Sequence, residues 1–184
     1  MTNQDKAFLI MDMQMSIVNR YESANSVINN IKKSILYARE QGMAIIYVNV
    51  GFRQNMPEVS VDNKTFYASK QRIGNMDTSE LMKIHPDLTP TPDDLVVTKH
   101  RFSAFSGSDL EMILRSMNIK HLILSGIATS GVVLSTLLEA SDKDFVLTVL
   151  SDACTDTDAD IQNILVTKIF PTRGDVLLTE EWTK

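Results

Sequence analysis

Short apolar runs alternate along this chain with stretches in which apolar residues recur every three or four positions. The runs at 7–11, 43–50, 95–99, 121–125, 145–150 and 175–178 have the length and composition of strands buried in a parallel sheet. Helical spacing lies between them at 27–38, 110–117, 133–138 and 157–170. This alternation predicts an α/β protein with three αβα layers: a doubly wound, six-stranded, mostly parallel sheet with helices on both faces, forming one domain over 1–184.

Local signals set some element ends. Gly42 is expected to end the first helix, and Asp156 or Thr157 is expected to cap the last one, which Pro171 should stop. The segment 51–91 has the least regular pattern, with three prolines inside it, a fourth directly after it at Pro92, and a short helical pattern at 79–84. Long irregular segments in compact domains usually have a function, so we expect it to pack over a ligand crevice or against another subunit.

Composition and charge argue against several partner classes. The net charge of −5 argues against nucleic acid and anionic membranes as partners. No apolar run reaches the ~18–20 residues of a membrane span, and the polar start of the chain shows no signal peptide. The single cysteine, Cys154, cannot form an internal disulfide and suits a reducing compartment. We therefore expect a cytoplasmic protein that acts on a small molecule.

The stretch from His121 to Thr136 is a strand that turns sharply into a helix through small and hydroxyl residues. Such a turn brings backbone N–H groups and a helix N-terminus together, which favours negative charge on a ligand or in a reaction. The alternative is an ordinary loop of the kind that every parallel α/β protein contains.

Two charged residues end other predicted strands. Asp12 follows the first strand and Lys99 ends the third, and parallel strands bring such ends to one edge of the sheet. A carboxylate and an ammonium in a half-buried crevice can serve as a general acid/base pair with shifted pKa values. Each residue taken alone is also explained as a loop acid or a surface lysine.

These residues resemble a family. Asp12-Met13-Gln14, Lys99 within Thr98-Lys99-His100-Arg101-Phe102, and Ser125-Gly126-Ile127-Ala128-Thr129 are similar to the isochorismatase-like hydrolases, also called cysteine hydrolases. The resemblance covers nearly the whole chain and implies the isochorismatase-like, Rossmann-like fold of that family. It implies a cis peptide bond between Ile127 and Ala128 that aims backbone N–H groups as an oxyanion hole, and a homodimer or homotetramer. It also implies catalytic roles for Asp12 and Lys99, and substrate contacts from Gln14, Phe52 and Thr129.

One departure from the family pattern affects the chemistry. The pattern Gly-x-Ala-Thr-x-x-Cys places the nucleophilic cysteine at position 132, where this chain has Val132. A valine cannot attack a carbonyl, and loss of a covalent nucleophile typically removes several orders of magnitude in rate. Ser130 and Ser135 are near in sequence, but helix geometry points neither where residue 132 points. Cys154 follows a different strand and is interpreted as a packing residue.

Some chemistry of the family does not need the cysteine. In its true isochorismatases the aspartate protonates a vinyl ether and the lysine neutralises charge, so the same reaction is open to Asp12 and Lys99. Arg53 and Arg101 are candidates for binding a substrate carboxylate, since guanidinium matches carboxylate in two hydrogen bonds, although a surface or subunit role explains them equally well. Amidase relatives bind a metal through an Asp-x-His cluster, but the three histidines here are scattered, so we expect no metal and no cofactor.

Three hypotheses follow. The first is a small-molecule hydrolase that uses Asp12 and Lys99 without a cysteine nucleophile. The second is a catalytically inactive family member that acts as a binding or assembly protein, because Val132 fills the nucleophile position. The third, a phospho-receiver domain, also combines Asp, Lys and a hydroxyl at strand ends, but it needs them in another order.

Overall fold

In the computed structural model, which describes residues 3–184, six strands form one parallel sheet, as predicted. The strands are β1 (Lys6–Met11), β2 (Ala44–Val50), β3 (Leu95–Lys99), β4 (His121–Ile127), β5 (Val146–Thr155) and β6 (Asp175–Leu177). Their order in the sheet is β3-β2-β1-β4-β5-β6. Met1 and Thr2, which the predicted domain includes, lie outside the described residues. β5 runs five residues beyond its predicted end at Leu150, because an irregularity opposite Leu124–Gly126 lets it continue beside β4.

The two faces of the sheet are buried under different helices. Alternate residues of β1 point to opposite sides: Leu9 and Met11 enter one core, and Phe8 and Ile10 enter the other. The first core is covered mainly by α5 (Leu110–Ser116) and α6 (Leu134–Asp142), and the second by α2 (Ala24–Glu40) and α8 (Thr179–Trp182). These are the three predicted αβα layers.

Two details of the last long helix differ from the prediction. α7 (Ala159–Ile164) begins one to two residues later than expected, because Asp158, rather than Asp156 or Thr157, accepts hydrogen bonds from the N–H groups of Asp160 and Ile161. Pro171 does not stop the chain's helical path at once. A π-helical turn (Leu165–Ile169) leads into a 3-10 turn (Phe170–Thr172) that contains this proline in its first turn, where its missing N–H costs nothing.

The segment 51–91 contains more helix than its pattern predicts. It holds α3 (Lys64–Ile73), which was not predicted, and α4 (Thr78–Leu81), which is shorter than the predicted 79–84. α3 begins at Asn63, whose side chain accepts a hydrogen bond from the Phe66 N–H. Phe66 is its buried side chain and packs in a small separate core with Met56 and Val59. Most of the other side chains of α3 are polar, so few apolar positions mark this helix in the sequence.

The remaining helix is α1 (Met15–Val18), a single turn that directly follows Gln14. None of the helices over residues 3–184 combines the length and the apolar character needed to cross a membrane.

Candidate active site

The site lies where the strand order reverses. β1 and β4 are neighbours in the sheet, although the chain makes β2 and β3 between them, and the crevice outside the carboxyl ends of such strands is where α/β sheets of this kind bind ligands. Asp12 follows β1 at this edge, and the Ala128–Val133 turn follows β4. Lys99 ends β3, two strands from β1.

The structure brings Asp12 and Lys99 into direct contact. Lys99 Nζ lies 3.0 Å from Asp12 Oδ2, and it also donates a hydrogen bond to the Arg101 carbonyl at 2.8 Å. Lys99 is 1% exposed and Asp12 is 7% exposed, so this is a buried ion pair. Asp12 has a φ of +55°, a left-handed conformation that is uncommon outside glycine and concentrates at functional sites.

Burial disfavours the charged form of the Asp12 carboxyl. Burial raises its pKa above the ordinary value, and the charge of Lys99 opposes that rise only in part. Asp12 Oδ1 is buried and has no hydrogen-bond partner among residues 3–184. A buried carboxyl oxygen without a partner is costly, and a catalytic role or a bound ligand is one explanation for it.

The turn after β4 is tightly packed against β1. At Gly126, φ is +130°, and a Cβ there would lie 2.0 Å from the Met11 carbonyl oxygen, so only glycine fits. The peptide bond between Ile127 and Ala128 is cis, at the position where the resemblance places one. A π-helical turn (Thr129–Val133) then leads into α6. Ile127 is buried in the second core, and Ala128 packs against it.

Val132 belongs to the hydrophobic core. It is 1% exposed and packs in the first core, so this position presents an aliphatic side chain to its surroundings. One of the backbone N–H groups that this turn could offer to an anionic ligand already has a partner. The Ser130 N–H donates to the Asp156 carboxylate at 2.7 Å. Thr129 Oγ1 is a second buried polar atom that lacks a partner among residues 3–184.

The predicted substrate contacts do not all reach open space. The Gln14 side chain makes its hydrogen bonds within the fold. Its amide nitrogen donates to the Val50 and Leu81 carbonyls, and its amide oxygen accepts from the Val50 N–H. Arg53 pairs with Glu58 at 2.7 Å, and Arg101 donates to the His100 and Glu58 carbonyls. Both arginines therefore brace the 51–91 segment, because Glu58 accepts from each of them.

Phe52 differs from these residues. It packs edge-on against Phe66 and lines a cleft of about 150 Å³ together with Gln14 and Val50. A larger cleft of about 440 Å³ lies beside Tyr21 and Asp156. Burial raises the pKa of Tyr21, and the charge of Asp156 adds to that rise while the charge of Arg20 opposes it. Neither Asp12, Lys99 nor Val132 lies in the wall of either cleft.

The three histidines have structural partners, and the single cysteine is buried. His100 Nδ1 contacts the Gly51 carbonyl at 2.7 Å, His121 Nε2 contacts Thr148 Oγ1 at 2.9 Å, and His85 accepts from the Asp87 N–H. Burial raises the pKa of the Cys154 thiol to about 12, so it is inert at neutral pH. Residues 3–184 contain no cluster of three His, Cys, Asp or Glu side chains that could hold a metal ion.

Comparison with known proteins identifies the family. The family model described as the isochorismatase domain matches residues 6–181. The chain belongs to the isochorismatase family. Its relatives include the ureidoacrylate amidohydrolase RutB of Cronobacter sakazakii, which is 30% identical over 82% of this chain and 74% of the relative. RutB of Klebsiella pneumoniae subsp. pneumoniae is 29% identical over 82% and 73%.

Solved structures agree with this assignment. An isochorismatase family protein from Burkholderia thailandensis has a TM-score of 0.84 at 28% identity, over 97% of this chain and 93% of that one. A cysteine hydrolase from Pseudomonas syringae pv. phaseolicola has a TM-score of 0.89 at 22% identity, over 100% and 92%, which shows the shared fold. The predicted resemblance to the isochorismatase-like hydrolases is thus confirmed.

Sequence reasoning missed three residues of the site region. Asp156 was considered only as the cap of α7, but its carboxylate caps the turn after β4. Glu58 accepts hydrogen bonds from Arg53 and Arg101. Phe102 packs against Phe66 and lies next to Gly131. Each acts through a contact between segments far apart in the chain, and periodicity carries no signal for such a contact.

Proposed function

We propose that this family member hydrolyses a small molecule by acid–base chemistry at Asp12 and Lys99, with no covalent enzyme intermediate. The observation that supports this most is the buried pair at 3.0 Å in which Asp12 Oδ1 has no partner among residues 3–184. A carboxyl whose pKa is raised by burial is protonated more readily, and Lys99 stabilises the carboxylate that forms once the proton has left.

A vinyl ether is the substrate type that suits this pair. Protonated Asp12 transfers its proton to the terminal vinyl carbon, and the electron pair of the C=C bond forms the new C–H bond. The resulting oxocarbenium ion adds water, whose proton returns to Asp12. The hemiketal then breaks into a carbonyl compound and an alcohol. No step requires a nucleophile at position 132.

The experiment compares hydrolysis of a vinyl ether, isochorismate, by the native chain and by Asp12→Asn. Asn keeps the size of the side chain but cannot donate the proton, so we expect the rate to fall by about 10²- to 10⁴-fold. Asp62→Asn, a change of an exposed carboxylate in the 51–91 segment, is the matched control and should leave the rate unchanged. Equal rates in the native chain and Asp12→Asn would refute the proposal.

A second candidate is a catalytically inactive binding or assembly protein. It is favoured by the burial of Val132 in the first core and by the absence of Asp12 and Lys99 from the walls of the two clefts described above. A valine at that position excludes the thioester chemistry open to a cysteine.

Val132→Cys separates the two candidates. If the site lacks only a nucleophile, Val132→Cys gains hydrolysis of an amide such as ureidoacrylate, and iodoacetamide abolishes that activity. Val133→Cys, an equally buried neighbour in the same core, should gain none. A folded Val132→Cys chain with no amidase activity, together with an inert native chain, would favour the second candidate.

A further inference from the structure

A cleft of about 150 Å³ opens between α1 and α3, and Gln14, two residues after Asp12, lines it. Its walls are mainly apolar side chains from several elements: Ile17, Val50, Phe52, Phe66, Ile73 and Leu81. Two arginines, Arg20 and Arg72, also line it, and both are exposed to solvent. The cleft therefore combines an apolar interior with positive charge at its rim.

These two arginines differ from the rest of the chain's guanidinium groups. The chain has seven arginines. The other five are engaged within the fold: three pair with a carboxylate, one holds main-chain carbonyls and one contacts a hydroxyl, namely Arg39, Arg53, Arg115, Arg101 and Arg173. The guanidinium groups of Arg20 and Arg72 form neither an ion pair nor a hydrogen bond with any of residues 3–184, although the Arg20 backbone N–H donates to the Ile17 carbonyl.

The other polar groups of the cleft are already satisfied. Ser16 donates to the Leu81 carbonyl, Ser69 donates to the Thr65 carbonyl, and the Gln14 amide is held by Val50 and Leu81. The available hydrogen-bonding capacity thus consists of guanidinium donors. Planar guanidinium groups match the two oxygens of a carboxylate better than any other common ligand group except phosphate.

We infer that this cleft binds a small carboxylic acid with an apolar ring or short chain, its carboxylate on Arg20 and Arg72. An apolar cavity of about 150 Å³ accommodates a benzene ring, which sets the size of the ligand body. The carboxylate is favoured over phosphate because the cleft is small and mostly apolar, which suits the less strongly hydrated anion.

The position of the cleft relates it to the proposed function. Val50 lines the cleft, and its N–H and carbonyl are both held by the side-chain amide of Gln14, which lies two residues after Asp12. Arg20 lines both this cleft and the larger one beside Tyr21. The cleft's role as a substrate subsite rests on the proposed function, and it assigns carboxylate recognition to Arg20 and Arg72 rather than to Arg53 and Arg101.

The test measures binding without turnover, with benzoate as the probe and isothermal titration as the readout. We expect benzoate to bind the native chain, and uncharged benzamide of the same size to bind at least tenfold more weakly. Arg72→Gln and Arg20→Gln should each weaken benzoate binding by about tenfold, because each removes a charged hydrogen bond. Arg173→Gln, whose guanidinium contacts Thr172 before β6 at the opposite edge of the sheet, is the control and should bind like the native chain.

A second variant blocks the cleft without changing its charge. Ser69→Phe, on the half-buried face of α3, should abolish benzoate binding while both arginines remain. Equal affinity for benzoate and benzamide, equal loss in Arg173→Gln, or no detectable benzoate binding would overturn the inference. Repeating the titration with Asp12→Asn separates it from the proposed function, since that chain should bind benzoate normally even though it is expected to be inactive.

Discussion

The long side chain of Lys99 allows it to reach Asp12 from a strand that is not adjacent to β1. It ends β3, which lies two strands from β1, and at ~4.8 Å per strand its backbone is about 10 Å from that of β1. Its four-carbon side chain spans this gap and places the ammonium 3.0 Å from Asp12. A buried charge pair of this kind is stabilising only as long as both members are present.

Removing Lys99 should therefore destabilise the fold in a pH-dependent way. Lys99→Met leaves the Asp12 carboxylate buried and unpaired, and we expect a loss of about 3–5 kcal/mol in the free energy of unfolding at neutral pH. Burial already raises the pKa of Asp12, and without Lys99 nothing comparable opposes that rise. The protonated form is then favoured in the folded chain, so the folded chain is most stable at low pH and loses stability as pH rises through the raised pKa.

Urea unfolding from mildly acidic to neutral pH measures this effect. The deficit of Lys99→Met should shrink as pH falls toward the ordinary carboxyl range. Lys83→Met, which removes an exposed ion pair with Glu80, is the control and should show little loss at any of these pH values. A Lys99→Met deficit that does not change with pH would contradict the account.

At the scale of elements, the contact between β1 and β4 sets the geometry of the crevice. Gly126 lies opposite Met11, and the tight approach of the two strands leaves no room for a side chain. The turn that follows therefore begins beside the end of β1, one residue before Asp12.

Gly126→Ala tests this close approach. The added methyl group would clash with the Met11 carbonyl at a φ of +130°, and we expect a loss of more than ~3 kcal/mol or failure to fold. Gly42→Ala is the control: φ there is +67° but nothing lies within 4 Å of the added Cβ, so the cost should be about 1–2 kcal/mol. Equal losses in the two variants, measured by urea unfolding, would be inconsistent with strand contact as the cause.

The elements also show how far the sequence predicts this molecule. The strands were predictable because strands buried on both faces give continuous apolar runs, and the pairing of Asp12 with Lys99 was expected because parallel strands share one carboxyl edge. α3 was missed because it buries chiefly Phe66 against a small separate core. The roles of Gln14, Arg53 and Asp156 were not predictable, because each depends on a partner from a distant segment.

At the scale of the whole molecule, the 51–91 segment and its neighbour Phe102 expose apolar side chains to solvent. Val61 and Met76 within it are 69% and 55% exposed, and Phe102, which packs against α3, is 42% exposed. Exposed apolar residues grouped around one segment are typical of a protein interface.

We expect this chain to form a homodimer or homotetramer through that surface. Light scattering at micromolar concentration should give a mass of two or four chains, and Val61→Asp with Met76→Asp should lower it. Leu36→Asp, which adds a charge at an exposed apolar residue on α2, is the control and should not change the mass. A monomeric mass for the native chain would contradict this expectation.

The role of Asp12 is decided by the rate of vinyl-ether hydrolysis, measured on the native chain and on Asp12→Asn prepared and assayed identically. We expect a measurable native rate that falls by about 10²- to 10⁴-fold in Asp12→Asn, with the fold retained. A native chain that hydrolyses no vinyl ether, or an Asp12→Asn chain that hydrolyses it at the native rate, would contradict the account.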